Sequence, residues 1–198
     1  MAHIDYFLAP QSPYVWLAGR RPADIAARHG ATIAYRPVDL AQLFPRTGGK
    51  VRAERHPSRV AWSDRDRMRQ ARKLGVEMLP APMFRGANPA PASYAIIAAQ
   101  AAGGGDLAGL VAGIARTLWA GDRDISDDEV IREVLAANGF DPGVADRGML
   151  MAADTYSANL EEAVLRGVFG APFFLVGEEA FWGQDRLDDL DAHLAGRL

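Results

Sequence analysis

The 198-residue chain contains no cysteine. That absence excludes disulfides, thiolate nucleophiles, Cys-ligated zinc and any thiol redox cycle run by the protein itself, so chemistry that needs sulfur must borrow it. Histidine is also sparse: His3, His29, His56 and His193 are scattered, with no i, i+4 pair and no neighbouring carboxylate at a metal-ligand spacing, so no protein-bound metal is expected. No apolar run approaches the roughly 18 residues that a membrane span needs. The formal net charge of −3 supplies no global basic excess, so neither a membrane nor a nucleic acid is expected as a partner. Met1 leads directly into an alternating apolar segment rather than a basic stretch and a long apolar run, and a cytoplasmic location is the expectation.

What is present is enough apolar material to bury a sizeable core, 49% of the chain. Ile4, Tyr6 and Leu8 alternate with Asp5 and Phe7, a strand pattern over residues 2–9 that ends at Pro10. Ser12 suits an N-cap and Pro13 a first helical residue, with Tyr14, Leu17 and Ala18 on one face. A break is expected near Gly19, a restart at Pro22 through His29, a stop at Gly30, and a second strand through Ile33, Tyr35 and Val38. The result is a β-α-β unit with parallel strands.

From about Gln42 to Ala153 the period is helical, with Leu107, Leu110, Val111, Ile114 and Leu118 on one stripe and Val130, Ile131, Val134 and Leu135 on another. Ser126 and Glu129 have the spacing of a capping box, and Asn138-Gly139 suits a helix end. Gly103-Gly104-Gly105 reads as a helix-helix connection, since no strand precedes it as a phosphate loop requires. Strands are then predicted for 173–176 and 180–182, and a last helix through Leu187, Leu190 and Leu194. Neither end of the chain holds enough strands for its own core. The expected architecture is α/β: one mixed sheet flanked by helices, built from residues 1–41 and 154–198, with residues 42–153 inserted as a helical domain between a β-α-β and an α-β-β-α half.

The sharpest chemical candidate is Ser12-Pro13-Tyr14-Val15, where a strand passes into a helix and free N–H groups favour an anion. Taken locally, a cap role for Ser12 is the simpler reading. Residues 46–73 carry a formal +7, leaving −10 for the rest. A solvated helix face explains such a run; attraction of an anionic ligand is the functional alternative, with Lys50 as its first candidate.

Three segments in order, Ser-Pro-Tyr at 12–14, Gly-Val-Phe-Gly-Ala-Pro-Phe-Phe at 167–174 and Phe-Trp-Gly-Gln-Asp-Arg-Leu at 181–187, together resemble the kappa-class glutathione transferases and the bacterial 2-hydroxychromene-2-carboxylate isomerases, on a thioredoxin-like fold. Ser12 and Val15 stand where the redox relatives have the cysteines of Cys-Pro-x-Cys. The resemblance implies glutathione as cofactor, with Ser12 holding its sulfur as thiolate, and Ala171 before a cis Pro172 pairing with its backbone. It further implies that Gln184 and Asp185 receive its γ-glutamyl end, although Asp185 alone reads as a helix-start charge. Lys50 and Asn88 are its substrate-side candidates; around Lys50 the family's Thr-Gly-Asn-Lys-Pro is replaced by Thr47-Gly48-Gly49-Lys50-Val51, and Asn88 serves equally as a cap for a helix at 89–101. The implied activity is isomerisation of 2-hydroxychromene-2-carboxylate, an intermediate of bacterial naphthalene degradation, or a related aromatic oxo-acid, by a homodimer. A kappa-like transferase or peroxidase and a redox-dead binding module are the alternatives.

Overall fold

A computed structural model describes residues 1–198. β1 (His3–Leu8) is followed by α1 (Pro13–Ala18), α2 (Arg21–Arg28) and β2 (Thr32–Pro37), and β2 pairs with β1 in parallel, Tyr6 opposite Tyr35. Six helices follow: α3 (Leu40–Thr47), α4 (Pro57–Leu74) after a 3-10 turn at Arg52–Glu54, α5 (Ala90–Ala102), α6 (Leu107–Trp119), α7 (Asp128–Ala137) and α8 (Val144–Leu165). The chain then forms the antiparallel pair β3 (Phe173–Val176) and β4 (Glu179–Trp182), a 3-10 turn at Gln184–Arg186, and α9 (Leu187–Leu194). The sheet order is β2-β1-β3-β4, and β1 runs antiparallel to β3 with Tyr6 opposite Phe174. This is the mixed thioredoxin-like sheet expected from the two chain ends, with the helical stretch between them. No helix is long and apolar enough to cross a membrane.

The periods in the sequence explain most of these elements. Gly19 and Gly30 adopt φ of 54° and 60° and end α1 and α2 where expected. The triple glycine separates α5 from α6. Two expectations fail: the insertion boundary at 153/154 falls inside the unbroken α8, and the cap of α7 is Asp127, whose carboxylate accepts from the Glu129 and Val130 N–H groups, while Ser126 bonds to Asp124 instead. A carboxylate one residue later offers a charge-assisted cap that outcompetes the hydroxyl.

β1 is buried on both faces. Ile4, Tyr6 and Leu8 enter a large core shared with Phe174 of the sheet and with Ile96, Leu110, Ile114 and Leu118 of the helices, while Phe7 joins Leu43, Leu160 and Phe173 in a smaller one. Sheet and inserted helices therefore share one apolar interior. Asp5 lies within this strand at only 7% exposure, and a charge so placed needs partners. Arg36 of β2 and Arg166 beyond α8 each donate to one of its oxygens at 2.6 Å, and both also reach Glu162, at 2.9 and 3.1 Å. Burial works to raise the Asp5 pKa, but the hydrogen bonds and charges of Arg166 and Arg36 outweigh it and hold the carboxyl below its usual range.

A folded-state pKa below the unfolded one adds stability that is present above the unfolded value, about 4, and is lost as pH falls through the folded value. Asp5→Asn is expected to lower unfolding free energy by about 2–3 kcal/mol, because two partly buried guanidinium groups lose their shared anion and keep only Glu162. Denaturant titrations of both proteins across the acid range check this: the variant should show a weaker decline of stability below pH about 4 than the parent.

Candidate active site

Beyond Leu8 the chain turns through Pro10 and Gln11, and the Ser12 N–H closes that turn on the Ala9 carbonyl at 2.9 Å. Ser12 occupies the N-cap position of α1 with extended backbone, yet its side chain makes no capping bond. Its hydroxyl instead donates across the end of the sheet to the Ala171 carbonyl at 3.4 Å, 159 residues away in sequence. The simple capping reading therefore does not describe this serine. Ser12 is 5% exposed and Ala171 9% exposed, and the bond from Ala171 to Pro172 is cis. Strand adjacency produces this meeting: Phe7 pairs with Phe173, so the residues just beyond β1 and just before β3 share one end of the sheet.

The remaining sequence candidates divide. Gln184 is 4% exposed, and its side-chain oxygen accepts from Arg21 at 2.6 Å while its nitrogen faces Gln70 at 3.5 Å. Its side chain is thus engaged within the fold. Asp185, next to it, is exposed and pairs with Arg186 at 3.2 Å. The last helix begins two residues later, with Asp188 and Asp189 supplying the acidic first turn, so Asp185 serves the preceding 3-10 turn rather than the start of α9. Trp182 is packed edge-on to Phe169 at 4.8 Å and over Gly170, where a Cβ would lie 2.6 Å from the indole nitrogen.

Lys50 and Asn88 lie on exposed loops. Lys50 has no ion-pair partner, and its carbonyl accepts from Arg55 at 2.9 Å. Asn88 accepts from the Ala90 N–H at 3.1 Å, but it stands one residue before Pro89, which takes the N-cap position of α5 without a side-chain cap. The departure from the family pattern at Gly49 has a steric cause: a Cβ there would stand 2.5 Å from the Phe44 ring, with no room for asparagine.

Charge alone marked residues 46–73 in the sequence, and the structure shows that one face of α4 in this stretch closes the site. Ser63 bonds to the Tyr14 hydroxyl at 3.2 Å, Arg67 lies over Trp119, and Gln70 faces Gln184. The i, i+4, i+7 spacing of these three was the available signal, masked by the arginines around it. Arg46, Arg52, Arg67 and Arg69 pair with Glu161, Asp64 and Asp66, whereas Lys50, Arg59, Arg65 and Lys73 form no ion pair, so the region stays positive. The hydrogen bond from Arg52, reinforced by Arg67, holds Asp64 below the ordinary carboxylate range. Away from this groove, a cavity of about 270 Å³ lies between α3 and α8 beside Asp39 and Glu161, and contains none of the candidate residues.

A mixed sheet with a serine hydroxyl at the β1–α1 turn facing a residue before a cis-proline defines a thioredoxin-fold site, and residues 3–195 match the family described as a DSBA-like thioredoxin domain. The chain is 30% identical to a 2-hydroxychromene-2-carboxylate isomerase of Sphingobium xenophagum over 96% of its length and 97% of that protein. It is 26% identical to the enzyme of the same name from Pseudomonas putida, over 98% of this chain and 95% of that one. The solved structure of a selenomethionine-labelled 2-hydroxychromene-2-carboxylate isomerase superposes with a TM-score of 0.79 at 22% identity, covering 98% of this chain and 95% of that one. The chain belongs to the 2-hydroxychromene-2-carboxylate isomerase family, an enzyme family on the DsbA-like fold, here without any cysteine.

Because Gln184 is buried against Arg21, Gln184→Leu should lower unfolding free energy by about 1–3 kcal/mol by leaving that guanidinium under-satisfied. Thermal or denaturant unfolding measures this, and an undiminished stability would contradict the structural role.

Proposed function

We propose that this chain is a glutathione-dependent isomerase that converts 2-hydroxychromene-2-carboxylate, or a closely related aromatic oxo-acid, to trans-o-hydroxybenzylidenepyruvate. The observation that carries the reading is the Ser12 hydroxyl, uncommitted to capping and 3.4 Å from the carbonyl before cis-Pro172, in a chain with no sulfur nucleophile of its own. The family relationship supplies the substrate class.

In this reading the Ala171 carbonyl accepts from the amide N–H of the glutathione cysteine. Ser12 then turns its O–H from that carbonyl toward the sulfur, which it stabilises as thiolate. A free thiol has a pKa near 8.5, so a directed hydrogen bond increases the reactive fraction at neutral pH. The Tyr14 N–H at the start of α1 has no backbone acceptor and adds a second donor beside the sulfur. Asp185 receives the γ-glutamyl ammonium, and the unpaired cations around Lys50 draw in the two anionic ligands.

The chemistry balances without net oxidation or consumption of thiol. The cyclic hemiketal first opens, its ring C–O bond breaking as the 2-hydroxyl proton passes to the phenolic oxygen, which gives the cis enone. Thiolate sulfur then bonds to the alkene carbon next to the aromatic ring, and the alkene electron pair moves to the keto oxygen as an enolate. The former double bond is now single and rotates. The enolate then re-forms the carbonyl and the alkene in the trans arrangement while the carbon–sulfur bond breaks, releasing thiolate. Ser12 therefore acts on the sulfur and never becomes acylated.

Ser12→Ala should reduce glutathione-dependent turnover about 100-fold, in the range for loss of one directed donor to a reacting anion, with stability nearly unchanged. Steady-state assays with and without glutathione test it; full activity in the variant would refute the role. Thiol titration after many turnovers should recover all the glutathione, and stoichiometric loss would identify conjugation instead.

A further inference from the structure

We propose that Arg67 is the positioning residue of this site: through Trp119 it sets the Gln11–Ser12 turn and biases it electrostatically toward a bound thiolate. The inference rests on the glutathione reading and extends it to a residue of the helical insertion.

The side chain of Arg67 is only 5% exposed, an unusual placement for a cation. Its two terminal nitrogens donate to Asp64 and to the Pro80 carbonyl, each at 2.6 Å, and its guanidinium carbon lies over the Trp119 ring, 5.3 Å from the ring centre. Trp119 in turn donates its indole N–H to the Gln11 carbonyl at 3.1 Å, one residue before Ser12. Its backbone carbonyl accepts from Leu79 at 2.7 Å. Arg67 and Trp119 are thus joined twice, by the cation over the indole ring and through the adjacent residues Leu79 and Pro80.

This cluster is not saturated. The Arg67 Nε–H and the Gln11 side-chain oxygen are both buried without partners, a spare donor and a spare acceptor on the two groups that flank the indole. Only a guanidinium can stack on a ring while forking to two acceptors in its plane. Its charge also survives the pairing, since Arg52 and Arg67 share the single carboxylate of Asp64.

Around α1 the other titratable and charged groups are otherwise engaged or remote. Tyr14 is bonded to Ser63 on α4, Asp185 to Arg186 in the turn before α9, Arg21 to Gln184, and Arg116 of α6 faces solvent. Arg21 is partly buried and bonded only to neutral oxygens of Leu17 and Gln184, with Asp188 as its nearest opposite charge; Arg67 is the buried cation whose contacts lead to the Gln11–Ser12 turn. In general, at an effective dielectric constant of about 20, a unit charge about 10 Å from a titrating group moves its titration by about one pH unit.

The experiment follows the ultraviolet thiolate signal of protein-bound glutathione against pH, with kcat and KM, in the parent, Arg67→Met, Arg67→Lys and Trp119→Phe. Arg67→Met should raise the bound-thiol pKa by about one unit and lower kcat at neutral pH about tenfold, with a smaller change in the KM for glutathione. Arg67→Lys should restore the pKa but not the full kcat, because the fork and the stacking are lost. Combining Arg67→Met with Trp119→Phe should cost little more than the larger single change, since both act on one path. An unshifted thiol pKa in folded Arg67→Met overturns the proposal. Should that variant not fold, an unchanged kcat in Trp119→Phe overturns it. Absence of any thiolate signal in the parent protein removes the glutathione reading itself, so the two failures are distinguishable.

Discussion

The antiparallel pairing of β1 with β3 is the constraint on which the rest depends. Three register pairs, Asp5 with Leu175, Tyr6 with Phe174 and Phe7 with Phe173, join the first strand to a strand almost at the other end of the chain. That closure costs loop entropy, which grows only slowly with the length enclosed, and the buried aromatic pairs offset it. Tyr6 and Phe174 lie with ring centres 4.6 Å apart inside the larger core. Everything chemical about the site is a by-product of this pairing, because it leaves Ser12 and Ala171 at one sheet end.

The two faces of β1 do different work. On one side Tyr6 and its neighbours merge with the helical insertion into a continuous interior, so α6 is held against α1 by core packing, while α4 meets α1 through the Ser63–Tyr14 hydrogen bond. On the other side Asp5 ties β1 to β2 and to the end of α8 through two arginines and Glu162. Such a network adds modest net stability, since desolvation opposes the attraction, but it punishes any register that leaves the carboxylate unpaired. Exact placement of the strand is also what places the serine.

The elements and their order were legible because each carries its own period and punctuation. The alternation at 4–8, Pro13 after Ser12, the glycines at 19, 30 and 103–105, and the terminal leucines all speak through nearest neighbours. The α7 cap was misread because serine and aspartate stand side by side and local rules rank them nearly equal. The inner face of α4 was hidden for a different reason: Arg67 looks like its solvated neighbours until burial is known.

The sequence alone determined the mixed sheet flanked by helices and the absence of protein-borne thiol chemistry, since these depend on composition and short-range pattern, while the thioredoxin-like arrangement and the segments of the site came from the resemblance of its motifs to a known family. Only the tertiary structure decided what the side chains do. It turned Ser12 from a cap into a hydroxyl aimed at Ala171, committed Gln184 to Arg21, and buried Arg67 on Trp119. Each of these is a contact between residues tens to more than a hundred positions apart, and its partner is selected by packing geometry, which no local pattern encodes.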